Sequence, residues 1–332
     1  MADHPSPTAA GSAAAAPDLS VQLGPLRLEH PLINASGTME IFELAETFGP
    51  GILQRPPVAA YVPKTVTLQP RAGNPPPRIS ETAGGMINSV GLPGEGLGAF
   101  ISNDLPRLLA LPCPVIVSVG GFSLGEYVSL AGGLREALDH SVYEGWTARV
   151  GLELNVSCPN VHSGCASIGA DPGETGAVVK VVRSVWPGLL VVKLTPNVAD
   201  IAQVGQAAEA AGADAISAVN TYKGLVIDRR TLKPYLGNII GGLSGPAIKP
   251  LALRAVYDLF KSVKVPIVGI GGVGSVGDVL DFMACGAKVV AVGSCAFRDP
   301  YVVCALREEL SKALRDRGLS AAELVGYAHF SS

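Results

Sequence analysis

The sequence predicts an α/β protein, a TIM (β/α)8 barrel with inserted loops at the C-terminal face of the barrel. Eight short runs rich in Val and Ile alternate with longer helix-like segments, as in a parallel sheet that is buried on both faces. A helix-to-strand unit at 212–220 resembles another at 286–294. The 332 residues accommodate one barrel of roughly 250 residues with insertions.

The predicted strands are short, and they alternate little between apolar and polar residues. They are Leu32–Ala35, Val58–Val62, Pro114–Val119, Gly151–Val156, Leu189–Leu194, Ala215–Asn220, Pro266–Ile270 and Val289–Gly293. Helices are predicted at Val198–Ala211, Lys249–Val263, Val276–Ala284 and Tyr301–Arg317. Two Pro- and Gly-rich segments, Gly73–Gly98 and Tyr222–Gly242, follow the second and sixth strands. Barrels build their active sites at that end of the strands, so we expect both segments to be functional loops.

The composition is that of a folded, apolar protein. Hydrophobic residues make up 48% of the chain, charged residues 16%, and the mean hydropathy is +0.36. These values exclude general disorder. The net charge of −3 provides no basic excess for nucleic acid or an anionic membrane. No apolar run reaches the ~18 residues of a membrane-spanning helix.

The domain organisation is predicted to be simple. Residues 1–20 are interpreted as a disordered, low-complexity tail and residues 21–332 as the barrel. The tail lacks the basic start and apolar stretch of a signal peptide. Six cysteines without a CxxC pair make no disulfide framework, so we expect a cytoplasmic location. The scattered histidines predict no metal site, and the lack of GxSxG argues against a serine hydrolase.

The segment at the end of the fourth predicted strand is the richest in reactive groups. Cys158 lies between Asn155 and Asn160, whose amides offer hydrogen-bond donors and acceptors to a ligand. A catalytic thiol fits this pattern. A buried structural cysteine fits it too, and most free cysteines are structural. Cys165 is close enough in sequence to need its own test.

Two lysines end apolar strands, Lys64 in YVPKT and Lys193 in VVKLTP. A charged side chain in such a strand needs a partner or solvent. Together they could hold an anion or a negatively charged reaction centre, or each could simply reach solvent at the barrel rim. Asn88, Asn220 and Thr221 add neutral hydrogen-bonding groups, although each alone also fits a turn.

The sequence GIGGVG at 269–274 matches the GxGxxG pattern after a strand and before a helix. It is weak as a dinucleotide fingerprint, because no acidic residue follows about 20 positions later. Barrels often bind phosphate on the loops after strands seven and eight, which favours a phosphate site over two plain turns. The residues predicted there are Gly245, Gly271, Gly272, Gly293 and Ser294.

From about Val21 to about Leu310 these segments together resemble the class 1 dihydroorotate dehydrogenases, and among them the B-type (NAD-dependent) catalytic subunit. The order and spacing of the motifs are specific, whereas any one alone would be weak. The motifs are NASGT (34–38), KTVT (64–67), RAGNPPPR (71–78), NSVGLP (88–93), ELNVSCPN (153–160), VKLTPN (192–197), VNTYKG (219–224), GGLSGPAIKP (241–250), GIGGV (269–273) and AVGS (291–294).

The resemblance implies that the barrel, residues 21–332, binds FMN and oxidises (S)-dihydroorotate to orotate in de novo pyrimidine biosynthesis. It implies that Cys158 is the base that removes the C5 proton while a hydride leaves C6 for FMN N5. Lys64 would contact both FMN and substrate. Lys193 would lie at the isoalloxazine ring and stabilise negative charge on the reduced flavin.

The remaining site residues are also carried over from the resemblance. The expected FMN contacts are Ser36, Lys64, Thr65, Ser118, Asn155, Lys193, Val219, Gly245, Gly271, Gly272, Gly293 and Ser294. The expected substrate contacts are Lys64, Asn88, Ser89, Val90, Gly91, Leu92, Asn155, Asn220 and Thr221.

B-type members work with a partner, an iron–sulfur flavoprotein subunit that carries FAD and a [2Fe–2S] cluster and passes electrons to NAD. The resemblance therefore implies a homodimer within a heterotetramer. Three alternatives stay open: a fumarate-using A-type enzyme, a dihydropyrimidine dehydrogenase-like enzyme, and a flavin-free barrel lyase or isomerase that binds phosphate.

The sequence departs from the family pattern at two places. After SGT the family usually has a Gly-rich stretch with an aromatic residue, whereas this chain has Met39–Leu44 without glycine. At the end of the third strand the family often has Asn, whereas Ser118 is present here. A hydroxyl can replace one hydrogen bond of an amide but reaches less far. Both changes could alter the flavin potential or the electron acceptor.

Overall fold

The structure, a computed structural model, describes residues 17–156 and 168–330. The strands in these residues are β1 (Val21–Leu23), β2 (Leu26–Leu28), β3 (Leu32–Asn34), β4 (Ile79–Thr82), β5 (Gly85–Asn88), β6 (Val115–Val119), β7 (Val150–Asn155), β8 (Leu189–Lys193), β9 (Ala215–Ala218), β10 (Tyr222–Leu225), β11 (Ile227–Asp228), β12 (Lys233–Pro234), β13 (Ile240–Ser244), β14 (Ile267–Ile270) and β15 (Ala287–Val292).

Helices alternate with the strands of the barrel along the chain. They are α1 (Ile41–Phe48), α2 (Gly51–Gln54), α3 (Gly96–Ala99), α4 (Leu105–Leu109), α5 (Leu124–Asp139), α6 (Pro172–Arg183), α7 (Ile201–Ala210), α8 (Lys249–Phe260), α9 (Val276–Ala284), α10 (Val302–Arg317) and α11 (Ala321–Leu324). No helix within residues 17–156 and 168–330 is long and apolar enough to cross a membrane.

Seven parallel strands form the barrel wall in the order β3-β15-β14-β9-β8-β7-β6. The chain around residues 58–66 fills the remaining gap between β3 and β6. Ala59 N donates to Leu32 O at 3.0 Å, and Tyr61 N donates to Pro114 O at 2.9 Å. The wall is therefore closed, and the predicted (β/α)8 barrel is confirmed.

The prediction of a regular strand at Val58–Val62 is wrong in its detail. Only an isolated parallel bridge joins Tyr61 to Val115 in this segment, and a second joins Val66 to Val119. Pro57 and Pro63 flank the segment, and proline has no N–H to donate to a ladder. The segment nevertheless closes the barrel at the place where the second strand was expected.

The predicted helices are found, with α9 at the predicted bounds. The start of α7 is Ile201 and not Val198, because Asp200 caps the helix and accepts hydrogen bonds from Ala202 N at 2.9 Å and Gln203 N at 3.4 Å. The carboxylate thereby satisfies N–H groups that the first turn leaves unpaired. The position of such a cap decides where the helix begins.

The two long predicted loops pair with each other. The segments after the second and sixth barrel positions build one antiparallel sheet in the order β10-β13-β5-β4. The register between β13 and β5 matches Gly242 with Asn88 and Ser244 with Met86. Two excursions that are far apart in sequence therefore form one structure beside the barrel mouth.

The lower half of the barrel interior is mainly apolar. Inward-facing Leu189, Val191, Ala215 and Val289 form one buried cluster with the hairpin of β1 and β2. The turn of that hairpin packs on Leu189, the first residue of β8. The hairpin thus covers the N-terminal end of the barrel, which leaves the opposite end of the interior open to a ligand.

Asn34 fastens the closing segment to the barrel. Its amide Nδ2 donates to Val62 O at 2.7 Å, and its Oδ1 accepts from Val62 N at 2.9 Å. Asn34 is fully buried and Val62 is 2% exposed. One side chain therefore satisfies both backbone groups of a residue that has no regular ladder partner.

We predict that Asn34→Ala lowers the free energy of unfolding by about 2–4 kcal/mol, because two buried backbone groups of Val62 lose their partners. Urea denaturation followed by circular dichroism measures the change. Gln22→Ala is the control, since Gln22 also bonds a backbone carbonyl but is exposed. A loss below about 1 kcal/mol for Asn34→Ala would contradict the assigned closure.

Candidate active site

A cavity opens at the carboxyl ends of the barrel strands. Its wall combines residues at the ends of β3, β7, β8, β9, β14 and β15, or just after them, with residues of the antiparallel sheet. The lining is mixed, with apolar Val219, Ile270 and Phe297 beside amides, hydroxyls and two lysines. Small-molecule sites commonly have this combination of an apolar wall and a few convergent polar groups.

The floor of the cavity is set by strand register. Asn155 on β7 pairs with Lys193 on β8, which in turn pairs with Ser217 on β9. These residues lie level on neighbouring strands, and all three are buried. Polar side chains therefore replace the apolar layer of the lower barrel at the level where the cavity begins.

The two predicted lysines line the same cavity at different depths. Lys193 is 6% exposed and donates from Nζ to Ser36 Oγ at 3.2 Å. Lys64 is exposed at the mouth. The arrangement places one ammonium at the floor and one at the entrance, so that a bound molecule could meet positive charge at both levels.

Two side-chain amides and three hydroxyl groups join in one network. Asn155 Nδ2 donates to Thr65 Oγ1 at 3.3 Å, and Asn220 Nδ2 donates to Asn155 Oδ1 at 3.3 Å. The Thr65 hydroxyl lies 3.0 Å from Ser118 Oγ, and Tyr127 OH donates to Asn155 O at 2.9 Å. The network fixes the direction of the amides that face the cavity.

Glycines shape the rim of the cavity on the side of β14. Gly271 and Gly272 have φ values of +135° and +74°, a backbone region that favours glycine. A Cβ at Gly272 would lie 2.9 Å from Gly245 O, so a side chain does not fit there. The bare backbone lets a ligand approach closely, as a phosphate site requires.

Asp278 braces this rim. Its Oδ2 accepts from Gly274 N at 2.9 Å and Ser275 N at 2.8 Å, and its Oδ1 forms a short contact with Lys249 Nζ. Burial acts to raise the pKa of Asp278, but the hydrogen bonds from Lys249, Gly274 and Ser275 outweigh it. The pKa therefore lies below its ordinary value of 3.8.

Most residues predicted from the sequence meet at this cavity. Those that line it are Ser36, Lys64, Thr65, Asn88, Val90, Gly91, Leu92, Asn155, Lys193, Val219, Asn220, Thr221, Gly245, Gly271, Gly272, Gly293 and Ser294. Ser89 and Ser118 do not line it. Ser89 is fully buried, and Ser118 lies behind Thr65. Cys158 and Cys165 lie outside the described residues.

The segment Met39–Leu44, which departs from the family pattern, does not line the cavity. Only Ala35–Thr38 of this loop reach it. Met39 is buried, and its carbonyl accepts a hydrogen bond from Tyr61 OH at 2.7 Å before α1 begins at Ile41. The substituted residues therefore turn away into a helix.

Sequence reasoning missed several lining residues. Some of them belong to the family-like motifs, which could have indicated them: Ala35, Gly37, Thr38, Ser244 and Val273. Ile79, Met86 and Phe297 had no such signal. Ile79 and Met86 reach the cavity because β4 and β5 pair beside it.

The described cysteines Cys113, Cys285, Cys295 and Cys304 are free thiols. Burial raises the pKa of Cys113 to about 11 and also raises the pKa values of Cys285 and Cys304. These three thiols stay protonated at neutral pH. Within residues 17–156 and 168–330, no cluster of three or more His, Cys, Asp or Glu could hold a metal ion.

A closed (β/α)8 barrel with a partly polar cavity at the carboxyl ends of its strands has the architecture of the barrel enzymes. The sequence profile of the family described as dihydroorotate dehydrogenase matches residues 18–314. The chain therefore belongs to the dihydroorotate dehydrogenase family.

Three relatives carry the same name, dihydroorotate dehydrogenase B (NAD(+)), catalytic subunit. The relative from Desulforudis audaxviator is 43% identical over 311 residues, which cover 93% of this chain and 97% of the relative. The relative from Trichlorobacter lovleyi is 42% identical over 305 residues, which cover 92% of this chain and 96% of the relative. The relative from Geotalea daltonii is 43% identical over 313 residues, which cover 94% of this chain and 98% of the relative.

We predict that Asp278→Asn lowers the free energy of unfolding at pH 7 by about 1–3 kcal/mol, because the neutral amide is a weaker acceptor for the rim. The lowered pKa stabilises the fold above the ordinary value of 3.8, and this stabilisation is lost as pH falls through the folded value. The gap between wild type and variant should therefore close below about pH 4. Urea titrations between neutral and acidic pH measure it.

Asp281→Asn is the matched control for this prediction. Asp281 also contacts Lys249, at 2.7 Å, but its side chain is 53% exposed. An exposed ion pair contributes about 0–1 kcal/mol. Equal losses of unfolding free energy in the two variants would contradict the prediction. They would show that stability depends on negative charge near Lys249 and not on the hydrogen bonds from the rim to Asp278.

Proposed function

We propose that this protein oxidises (S)-dihydroorotate to orotate, in de novo pyrimidine biosynthesis, with FMN as its flavin. The observation that carries the proposal is the convergence of Lys64, Lys193 and the amides of Asn88, Asn155 and Asn220 on one cavity. Family membership supports it, as do the relatives named dihydroorotate dehydrogenase B.

The residues present fit FMN. The side-chain-free rim at Gly245, Gly271 and Gly272 suits a phosphate, and Gly293 and Ser294 extend it on the next loop. The apolar part of the wall suits a flat ring system. When bound, FMN would accept the hydride that leaves C6 of dihydroorotate.

In this proposal the lysines and the amides of the cavity have different roles. Lys193, at the floor, would stabilise negative charge on the reduced flavin, and Lys64 would contact both flavin and substrate. Asn88 and the loop Val90–Leu92 would hold the substrate together with Asn155, Asn220 and Thr221. Amides match such a substrate because each offers a donor and an acceptor to its imide edge.

Cys158 is proposed as the base that removes the C5 proton. It follows Asn155 and Val156 in the chain, and Asn155 is at the cavity floor. A free thiol has a pKa of about 8.5, so a positive charge or a hydrogen-bond donor beside it would favour the thiolate. The C5 proton would go to the thiolate, the electron pair of the C5–H bond would form the C5=C6 double bond, and the C6 hydrogen would leave with its electron pair as hydride.

The partner is proposed from the relatives. Their printed name, catalytic subunit of an NAD(+) enzyme, implies another subunit. We propose an iron–sulfur flavoprotein with FAD and a [2Fe–2S] cluster that transfers electrons to NAD, in a heterotetramer built on a homodimer. The proposed location is the cytoplasm.

Anaerobic stopped-flow absorbance tests the proposal. The purified chain, loaded with FMN, is mixed with dihydroorotate, and rapid bleaching of the flavin band is expected. A chain that binds no flavin would contradict the proposal and favour the flavin-free lyase or isomerase. Bleaching by dihydrouracil instead of dihydroorotate would favour the dihydropyrimidine dehydrogenase-like alternative. Rapid reoxidation by fumarate would favour the A-type alternative.

We predict that Cys158→Ala retains FMN but slows flavin reduction by dihydroorotate about 10²–10⁴-fold at neutral pH, the usual contribution of a general base. Stopped-flow absorbance measures the rate, and bound flavin is measured from the visible spectrum. Cys165→Ala is the matched control, and it should reduce its flavin at the wild-type rate. A wild-type rate in Cys158→Ala would remove this residue from the mechanism.

A further inference from the structure

A second buried charge lies one step deeper in the barrel than Lys193. Glu153 on β7 precedes Asn155 by two residues and faces the same interior. Its side chain is 6% exposed, and that of Lys193 is 7% exposed. Glu153 does not line the cavity. The carboxylate therefore does not touch a molecule in the cavity, and its contact with the cavity lining is made with Lys193.

The carboxylate of Glu153, on β7, contacts one side chain on β8 and one on β9. Its Oε1 lies 3.7 Å from Lys193 Nζ, and its Oε2 accepts a hydrogen bond from Ser217 Oγ at 3.4 Å. On the other side, Lys193 Nζ donates to Ser36 Oγ at 3.2 Å. The ammonium thus lies between a deep carboxylate and a hydroxyl of the cavity wall.

This arrangement is unusual for a purely structural pair. Among the described residues, none donates a hydrogen bond to Glu153 Oε1, and the distance of 3.7 Å to Lys193 is an electrostatic contact. Burying two charges with incomplete hydrogen bonding is often less stable than filling the same space with apolar side chains. An incompletely satisfied carboxylate below a functional cavity calls for a functional explanation.

We infer that Glu153 is a positioning residue for Lys193. It holds the ammonium at the cavity floor and offsets part of its positive charge, and it thereby limits how strongly the site favours reduced over oxidised flavin. The inference rests on the proposed function, since it takes Lys193 as the group that stabilises negative charge on the flavin.

The variant Glu153→Gln separates charge from shape. The amide keeps the volume and can still accept from Ser217, but the negative charge is lost. The ammonium of Lys193 is then no longer offset, and it stabilises an anionic reduced flavin more strongly. We expect the affinity for reduced FMN relative to oxidised FMN to rise about tenfold, or ~30 mV for a two-electron couple.

The experiment is a spectroelectrochemical titration of the FMN-loaded chain. Glu153→Gln should have a more positive midpoint potential than wild type, whereas Glu153→Asp, which retains the charge, should lie nearer to wild type. Glu309→Gln is the control for the chemical change, because Glu309 is exposed on α10. An unchanged or more negative potential in Glu153→Gln overturns the inference.

A second measurement covers the case in which Glu153→Gln fails to fold. Removing one member of a buried pair leaves the other charge uncompensated, whereas removing both does not. Pulse proteolysis in urea should therefore find Glu153→Gln less stable than the double variant Glu153→Gln/Lys193→Gln. Equal stability of the single and double variants would show that the charges do not interact, and the inference would be overturned.

Different results would contradict the proposed function and the role of Glu153. A wild-type chain that binds no flavin contradicts the proposed function. A wild-type chain that binds FMN, with the same potential in Glu153→Gln, contradicts only the role assigned to Glu153.

Discussion

Register in a closed parallel barrel is the constraint on which the rest of this structure depends. Because all the wall strands run in one direction, their carboxyl ends meet at one mouth. The pairing of Asn155 with Lys193 and of Lys193 with Ser217 brings polar side chains to one level. A shift of one residue in any of these strands would turn its polar side chain out of the barrel interior. Burial of the apolar layer below, around Val191, opposes such a shift.

The polar floor has a physical cost that the barrel has to balance. Lys193 and Glu153 are both almost fully buried, and each is tolerated because the other is near. The hydroxyls of Ser36 and Ser217 add hydrogen bonds on either side of the pair. The same contacts that make these charges tolerable also fix the direction of the ammonium. Stability and site geometry are therefore set by one group of residues.

Closure of the barrel relies on side chains as well as on backbone pairing. The segment that carries Lys64 has no regular strand, and Asn34 supplies the partners of Val62 within it. Lys64 follows two residues later, at the mouth of the cavity. A backbone released from strict strand geometry at this point can still place a charged side chain at the entrance.

The sequence by itself determined the barrel class, the approximate positions of its strands and the glycine-bearing rim, because buried runs and positive-φ glycines leave local signals. It also identified Lys193 and Asn155 as unusual residues at strand ends. Only the tertiary structure paired the two distant insertions, which brought Ile79 and Met86 to the cavity. The contact between Glu153 and Lys193 was likewise decided by the tertiary structure. The two residues are 40 positions apart, and no local sequence pattern encodes a contact between side chains on neighbouring strands.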